Sequence, residues 1–176
     1  MLRRSLLSLS PLALLRANAA ATVCPSYFAK GLLARWTSSR EYTLAVFDKM
    51  PEEQLAFRPT PEQWTFAQQF THIADGSLLI AAPLHGDKAV YTGAAPRQLA
   101  RAELRQHLEH SFTYVAEAIQ RLPDDAAGEQ RIEFLGGEKL LKRELCYRLL
   151  DHVAHHRGQA IVYLRLKGIT PPEYPG

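Results

Sequence analysis

The chain has 176 residues, of which 47% are apolar and 22% charged, proportions typical of a single soluble globular domain. Its net charge of +3 is unevenly distributed: residues 1–40 carry six basic side chains and no acidic one, whereas the rest carry 15 basic and 18 acidic. The part expected to fold is therefore mildly acidic, which argues against a nucleic-acid-binding surface.

The first 25 residues are predicted to lie outside the folded domain. They begin with Arg3 and Arg4, continue through a Leu/Ser-rich run and end in small residues, an order typical of a cleaved export or targeting segment. A disordered extension and a start codon placed too early are the alternatives, and without targeting the protein would be cytoplasmic. Pro11 interrupts the apolar run, which is too short to span a bilayer, so we expect no membrane association.

Residues 26–176 are predicted to form one domain that begins with two helices. Apolar residues recur at steps of three and four between Tyr27 and Met50, which indicates the first helix, and Pro51 ends it. A connection with three prolines follows. Thr65 and Gln68 form a capping-box pattern that predicts the start of the second helix, which Pro83 or Gly86 stops.

Two further helices complete the predicted domain. An apolar stripe from Leu104 to Leu122 indicates a third helix that begins near Pro96. The segment "RIEFLGGE" (131–138) is predicted as a short extended piece or an ordered loop. A fourth helix is predicted from about Glu138 to Lys167, ended by Gly168 as a left-handed cap.

Four amphipathic helices without a convincing strand predict an all-α four-helix bundle. The long connections after the first and second helices leave a crossover connection open. The two cysteines, Cys24 and Cys146, are too few for a disulfide scaffold, and Cys146 on the fourth helix is predicted to be a buried, unreactive thiol.

The fourth helix carries three crowded histidines in "DHVAHHRGQA" (151–160). His152 and His156 are four residues apart, so their side chains lie one turn above each other on the face that points into the bundle. Both could reach one metal ion. Two buried imidazoles that each find a separate hydrogen-bond partner are the alternative, and His155 is predicted to lie at the edge of the helix.

A metal site would need a third ligand from another helix. His72 follows Gln69 and precedes Gly76 on the second helix, where a glycine lets a neighbouring group approach closely. His107 and His110 are interpreted as solvated and His85 as a loop residue. Three histidines are a usual protein ligand set for a metal that keeps one open position, and we expect His72 within about 8 Å of the pair if they form such a set.

Other catalytic patterns do not fit this sequence. No Glu follows His152, which excludes the HExxH metalloprotease motif, and no Asp or Glu has a histidine three residues later, which excludes a carboxylate-bridged di-iron bundle. A mononuclear three-histidine site and a plain bundle without metal remain.

Three segments together resemble the DinB / YfiT-like superfamily of metal-binding four-helix proteins: "MPEEQLAFRPTPEQWTFAQQFTHI" (50–73), "FTHIAD" (70–75) and "DHVAHHRGQAIVYLRLKGITPP" (151–172). The resemblance implies one divalent metal ion, usually zinc or nickel, held by His72, His152 and His156, and commonly a homodimer. Relatives of this kind are similar to bacillithiol transferases and to mycothiol-dependent maleylpyruvate isomerase.

The sequence thus supports two hypotheses about function. The first is a metal-dependent transferase or hydrolase that acts on a small-molecule substrate with a low-molecular-weight thiol or water, and Arg157 and Gln159 are its candidate catalytic residues. The second is a non-catalytic metal-binding bundle for stress response, sensing or partner association. Asp75 and Asp151 are each predicted to be either a solvated carboxylate or the partner of an imidazole N–H. Trp36 and Trp64 are interpreted as packing residues, and Tyr163 as a core residue or a polar contact in the pocket.

Overall fold

A computed structural model describes residues 27–175 and shows a bundle of four α-helices. The helices are α1 (Tyr27–Lys49), α2 (Phe66–His85), α3 (Arg101–Gln120) and α4 (Lys142–Leu166). The predicted all-α bundle is confirmed. The leader predicted over residues 1–25 and Cys24 lie outside the described residues.

The ends of α2 and α4 follow from local sequence. Thr65 is the N-cap of α2: its hydroxyl accepts the backbone N–H of Gln68, whose side chain accepts the backbone N–H of Thr65, as the capping box predicts. Gly86 at φ 93° ends α2, and Gly168 at φ 72° follows α4. Both glycines adopt the left-handed conformation that a helix C-cap requires.

Helix α3 begins at Arg101, later than predicted, because residues 96–100 are held in a non-helical conformation against α2. The amide of Gln68 donates to the carbonyl of Pro96, and the hydroxyl of Thr65 donates to the side chain of Gln98. These contacts tie the segment to the N-terminus of α2 and keep it out of the helix.

Helix α4 also begins later than predicted, because the residues before it form a small hairpin. Strands β1 (Arg131–Glu133) and β2 (Lys139–Leu141) pair antiparallel, with Ile132 opposite Leu140. Gly136 and Gly137, at φ 68° and 81°, make the turn between them. The segment predicted as extended or ordered loop is therefore partly strand.

The order of the helices around the bundle is not sequential. α1 and α2 each pack against both α3 and α4, so α1 lies diagonally opposite α2. The connection over residues 50–65 therefore crosses the bundle, which is one of the predicted alternatives, whereas residues 86–100 join neighbours. The connection over residues 121–141, for which no crossing was predicted, also joins diagonal helices.

The interior is filled by the predicted apolar faces. The whole α3 stripe from Leu104 to Leu122 is buried, and the indole N–H of Trp36 donates to the carbonyl of Phe112 at 2.9 Å. Cys146 is buried, and burial raises the pKa of its thiol to about 12, consistent with an unreactive thiol. Among the described residues no helix has both the length and the apolar character needed to cross a membrane.

Candidate metal site

Three histidines from two helices meet where α2 packs against α4. The ring centroids of His72 and His152 are 5.1 Å apart, those of His72 and His156 4.5 Å, and those of His152 and His156 4.9 Å. One ring nitrogen from each lies within 4.8 Å of the others. The structure therefore brings together the three residues that spacing and resemblance had selected, well inside the expected 8 Å.

This cluster has the chemistry of a divalent-metal ligand set. Burial lowers the pKa of His152 to about 4, that of His156 to about 3, and that of His72 below its ordinary value. At neutral pH all three rings are therefore uncharged and each has a nitrogen lone pair. Tetrahedral zinc with bonds of 2.0–2.1 Å holds its ligand nitrogens about 3.3 Å apart, so small side-chain movements would close the site around a metal.

Gln69 determines which nitrogen of His156 is free. The Nδ1–H of His156 donates to Oε1 of Gln69 at 2.8 Å, and this bond places the proton on Nδ1 and leaves the Nε2 lone pair for a ligand bond. Gln69 is 2% exposed, so the bond is shielded from water. A buried partner of this kind is what orients metal-binding histidines in proteins.

The amide of Gln69 is itself held by two neighbours on α4. Its Nε2 donates to Oε1 of Gln159 at 2.8 Å and to the hydroxyl of Tyr163 at 3.3 Å. The Tyr163 hydroxyl donates in turn to the carbonyl of Trp64 at 3.1 Å. Gln159, a candidate catalytic residue, thus lies behind His156 in this network, and its own amide nitrogen contacts the exposed ring of His155 at 2.8 Å.

Gly76 makes room for the ring of His152. A Cβ built at Gly76 would overlap the Nε2 and Cε1 atoms of that ring. In the same place the Nε2–H of His152 contacts the carbonyl of His72 at 3.2 Å. The close approach predicted at this glycine is therefore made by a ligand candidate from the facing helix.

Trp64 forms a wall of the site, a role that the sequence did not indicate. Its ring centroid lies 4.6 Å from that of His72 and 5.8 Å from that of His156, in a nearly parallel stack with the latter. The aromatic face restricts both imidazoles and excludes water from one side. Trp36, in contrast, is a core residue as interpreted.

Two predictions about neighbouring polar residues need correction. His107 is not simply solvated: its Nε2 contacts a carboxylate oxygen of Asp75 at 2.6 Å, and only 20% of its side chain is exposed. Asp75 does bind an imidazole, but it is the imidazole of His107 rather than that of His72. The bond to His107 lowers the pKa of Asp75, and the resulting negative charge raises the pKa of nearby His72 against the effect of burial.

His85 differs from expectation, whereas Asp151 agrees with one of its two predicted alternatives. His85 is the last residue of α2 rather than a loop residue, and its ring stacks on Tyr114 at 3.8 Å. Asp151 is exposed, and no residue of the described chain bonds its carboxylate. It therefore does not orient an imidazole here, and it matches the solvated alternative.

The second candidate catalytic residue, Arg157, contacts α1 instead of the histidines. Its Nη1 donates to the carbonyl and hydroxyl of Ser39 and to the hydroxyl of Thr43, at 3.0–3.2 Å. A step of one residue from His156 turns the side chain by about 100° around the helix, toward a different neighbour.

The residues that sequence reasoning missed carried a weak signal. Gln69 is three positions before His72, so the two share a face of α2. A polar residue on the buried face of a helix needs a partner, and this requirement could have indicated a role for Gln69. No local pattern indicates Trp64, because its contact depends on the path of the connection before α2.

Replacing Gly76 by alanine tests the close approach of the two helices. At an ordinary helical position this change stabilises by roughly 1 kcal/mol. In Gly76→Ala we expect displacement of the His152 ring, loss of metal retained after dialysis, and a melting temperature that does not rise. Metal content and thermal unfolding measure both effects.

Gly31→Ala is the matched control, since Gly31 is helical and exposed and a Cβ there meets nothing within 4 Å. It should keep the metal and gain stability. A Gly76→Ala protein with wild-type metal content would contradict the role given to this glycine.

The stability of the metal-free protein should depend on pH through the buried imidazoles. The folded pKa values of His152 and His156, about 4 and 3, lie below the ordinary value of about 6.5. Below pH 6.5 the unfolded chain therefore binds more protons than the folded chain. The free energy of unfolding is unaffected by these imidazoles above pH 6.5, and it decreases as the pH falls toward 4. Thermal unfolding between pH 7.5 and 4.5, after removal of metal, measures the slope of stability against pH.

His156→Gln should flatten that slope, whereas His110→Gln, at an exposed position on α3, should leave it unchanged. Equal slopes in His156→Gln and the wild type would show that the His156 ring does not titrate as described.

The family model described as the DinB superfamily matches residues 35–160. A DinB-like protein from Bacillus cereus ATCC 10987 has a similar structure, with 25% identity and a TM-score of 0.70 over 82% of this chain and 95% of that one. A DinB-like protein from Bacillus subtilis aligns with 21% identity and a TM-score of 0.66 over 82% of this chain and 96% of that one.

A mycothiol-dependent maleylpyruvate isomerase shares the fold, at 15% identity and a TM-score of 0.62 over 74% of this chain and 59% of that one. No curated protein sequence matches this chain significantly. The match of the family model covers most of the chain and includes all three histidines of the cluster. The chain belongs to the DinB superfamily.

Proposed function

We propose that this protein binds one divalent metal ion, zinc or nickel, through His72, His152 and His156 and uses it as an enzyme on a small-molecule substrate. The observation that carries the proposal is the convergence of three uncharged imidazoles, with ligand nitrogens within 4.8 Å of one another. Three protein ligands leave a fourth tetrahedral position for a reactant, as in catalytic rather than structural zinc sites.

Thiol transfer is the reaction that the site supports best. A divalent metal supplies Lewis acidity that stabilises the anion of a thiol or of water. In the described chain no carboxylate joins the three imidazoles, so the general base that zinc hydrolases use is missing from the cluster. A thiol needs less help than water to lose its proton, because its pKa is much lower. The shared fold with a mycothiol-dependent isomerase agrees with a thiol co-substrate.

The chain's own residues prepare the site for this reaction. Gln69 holds the proton of His156 on Nδ1, and the lack of a side chain at Gly76 lets the His152 ring lie against α2. Trp64 covers the rings of His72 and His156. His72 and His152 are half-buried, so the cluster keeps contact with solvent through which a substrate can enter.

Removal of His72 tests the metal site. The purified protein should contain about one metal ion per chain, and His72→Ala should contain almost none, because two imidazoles on one helix do not form a stable site. Elemental analysis after dialysis measures both. His155→Ala is the control, since His155 is exposed and next to a ligand candidate but outside the cluster, and it should stay loaded.

The same variants test catalysis. Metal-loaded protein should consume a low-molecular-weight thiol in the presence of an electrophile such as monochlorobimane, and p-nitrophenyl esters test hydrolysis. His72→Ala should lose this rate by on the order of a hundredfold or more, because Lewis-acid stabilisation is worth several kcal/mol. Stoichiometric metal without turnover of any thiol or ester would instead establish the alternative, a non-catalytic metal-binding bundle.

We also propose a homodimer. Support comes from apolar side chains on the outer face of α4, where Tyr147, Val162 and Leu166 are 48–59% exposed within one 100° sector of the helix. Light scattering should give twice the 19.8 kDa chain mass. Val162→Glu should lower the measured mass to that of a monomer. Val90→Glu, at an exposed loop position, should leave the measured mass unchanged. A monomeric wild type would refute the dimer.

A further inference from the structure

A separate cavity lies on the opposite side of α4 from the histidine cluster. A cavity of about 470 Å³ opens between α1 and α4, whereas the histidines lie between α2 and α4. We refer to it as the α1–α4 cavity. Its polar lining consists mainly of Arg35, Ser39, Tyr42, Asp151, Arg157 and Tyr174.

Arg157 is fixed in the wall of this cavity. The residue is 9% exposed, and its Nη1 is occupied by Ser39 and Thr43 of α1. The guanidinium carbon lies 4.8 Å from the centre of the Tyr42 ring, a cation–π contact. The guanidinium plane is therefore held in place before any ligand arrives.

Among the described residues the charge of Arg157 has no acidic partner. Within residues 27–175 no carboxylate oxygen lies within 4.0 Å of its guanidinium, and its Nε and Nη2 have no acceptor there. A buried cation without a counter-ion is costly, and proteins normally pair it. An arginine also keeps its charge when buried, because its pKa is so high.

The free edge of the guanidinium indicates the ligand. Nε–H and one N–H of Nη2 point in parallel from the same edge, a geometry that two oxygens of a carboxylate or phosphate match. A volume of about 470 Å³ lies in the range of small-molecule sites and exceeds what a lone inorganic ion needs. We propose that the α1–α4 cavity binds a small organic molecule through a carboxylate or phosphate group on Arg157.

The other charged and polar residues of the lining should alter the affinity of the cavity for an anion. Arg35 adds a second positive charge, and the hydroxyls of Tyr42 and Tyr174 add hydrogen-bond donors. Asp151 is the acidic lining residue and opposes an anion. Arg35 and Asp151 are both exposed, so they can be changed without disturbing the core.

Calorimetric titration with three matched probes tests the proposal. Benzoate and phenyl phosphate carry the two candidate anionic groups, and benzamide is a neutral analogue of benzoate. We expect at least one of the two anions to bind and benzamide not to bind. The anion with the higher affinity shows whether the cavity prefers a carboxylate or a phosphate group. Because either anion could also bind a metal, the titration is repeated on His72→Ala, in which binding to Arg157 should persist.

Variants locate the binding. Arg157→Lys keeps the charge but loses the two parallel N–H donors. It should lower the affinity for the anion that binds more tightly by about tenfold or more. Asp151→Asn should tighten binding and Arg35→Gln should weaken it, each by roughly threefold, with both effects reduced by salt. Arg165→Gln, an exposed position on α4 outside the cavity, is the charge-matched control and should have no effect beyond the general change in net charge.

Three outcomes would overturn the proposal: no binding of either anion, equal binding of benzamide, or binding that disappears in His72→Ala. If Arg157→Lys does not fold, Asp151→Asn and Arg35→Gln still test whether the anion binds in the α1–α4 cavity. Unchanged affinity in both variants would show that it binds elsewhere.

Discussion

The close approach of α4 to α2 at Gly76 is the constraint on which the histidine cluster depends. Without a Cβ at Gly76, the ring of His152 lies directly against the backbone of α2, one turn from His72. His156 follows one turn later on α4 and completes the group. The site is thus built into the packing of two helices, where geometry is better defined than on loops.

A buried polar network then fixes the orientation of the His156 ring. Gln69 uses its oxygen for His156 and its amide hydrogens for Gln159 and Tyr163. A buried amide with all these bonds satisfied is rigid, whereas an unsatisfied one is costly. The same burial that demands these bonds keeps the imidazoles uncharged. Packing, hydrogen bonding and protonation therefore act together to prepare the ligand set.

The two faces of α4 carry different chemistry within consecutive residues. His156 faces α2 and burial lowers its pKa to about 3, whereas Arg157 faces α1 and stays charged at neutral pH although burial lowers its pKa as well. One helix therefore separates a face of neutral imidazoles from a cationic one. This division explains why the motif "HHRGQ" does not form one compact catalytic group, although the residues are adjacent in sequence.

Local patterns were sufficient to predict the helices and part of the site. The α3 stripe, the Thr65 cap and the inward direction of His152 and His156 all follow from interactions over a few residues, and the structure agrees with them. The position of His72 before Gly76 and the family resemblance both indicate His72 as the third ligand, although eighty residues separate it from the pair. The contacts of Gln69 and Arg157 depend on which helices become neighbours, and single-helix periodicity carries no information about that.

The connections were the least predictable part for the same reason. Residues 96–100 look compatible with a helix, but hydrogen bonds to Thr65 and Gln68 hold them extended. The pairing of His107 with Asp75 likewise joins α3 to its neighbour α2. Such bonds are set by tertiary distances, which are not encoded in the spacing of either segment alone.

X-ray absorption spectroscopy of the purified, metal-containing protein reports the ligands of the bound metal and therefore tests whether three imidazoles hold it. We expect the scattering pattern of three imidazoles, with zinc–nitrogen distances of about 2.0–2.1 Å if the metal is zinc, together with an oxygen ligand that an added thiol replaces by sulfur. A spectrum without imidazole, or with four protein ligands and no exchange on addition of thiol, would rule out an open three-histidine metal site.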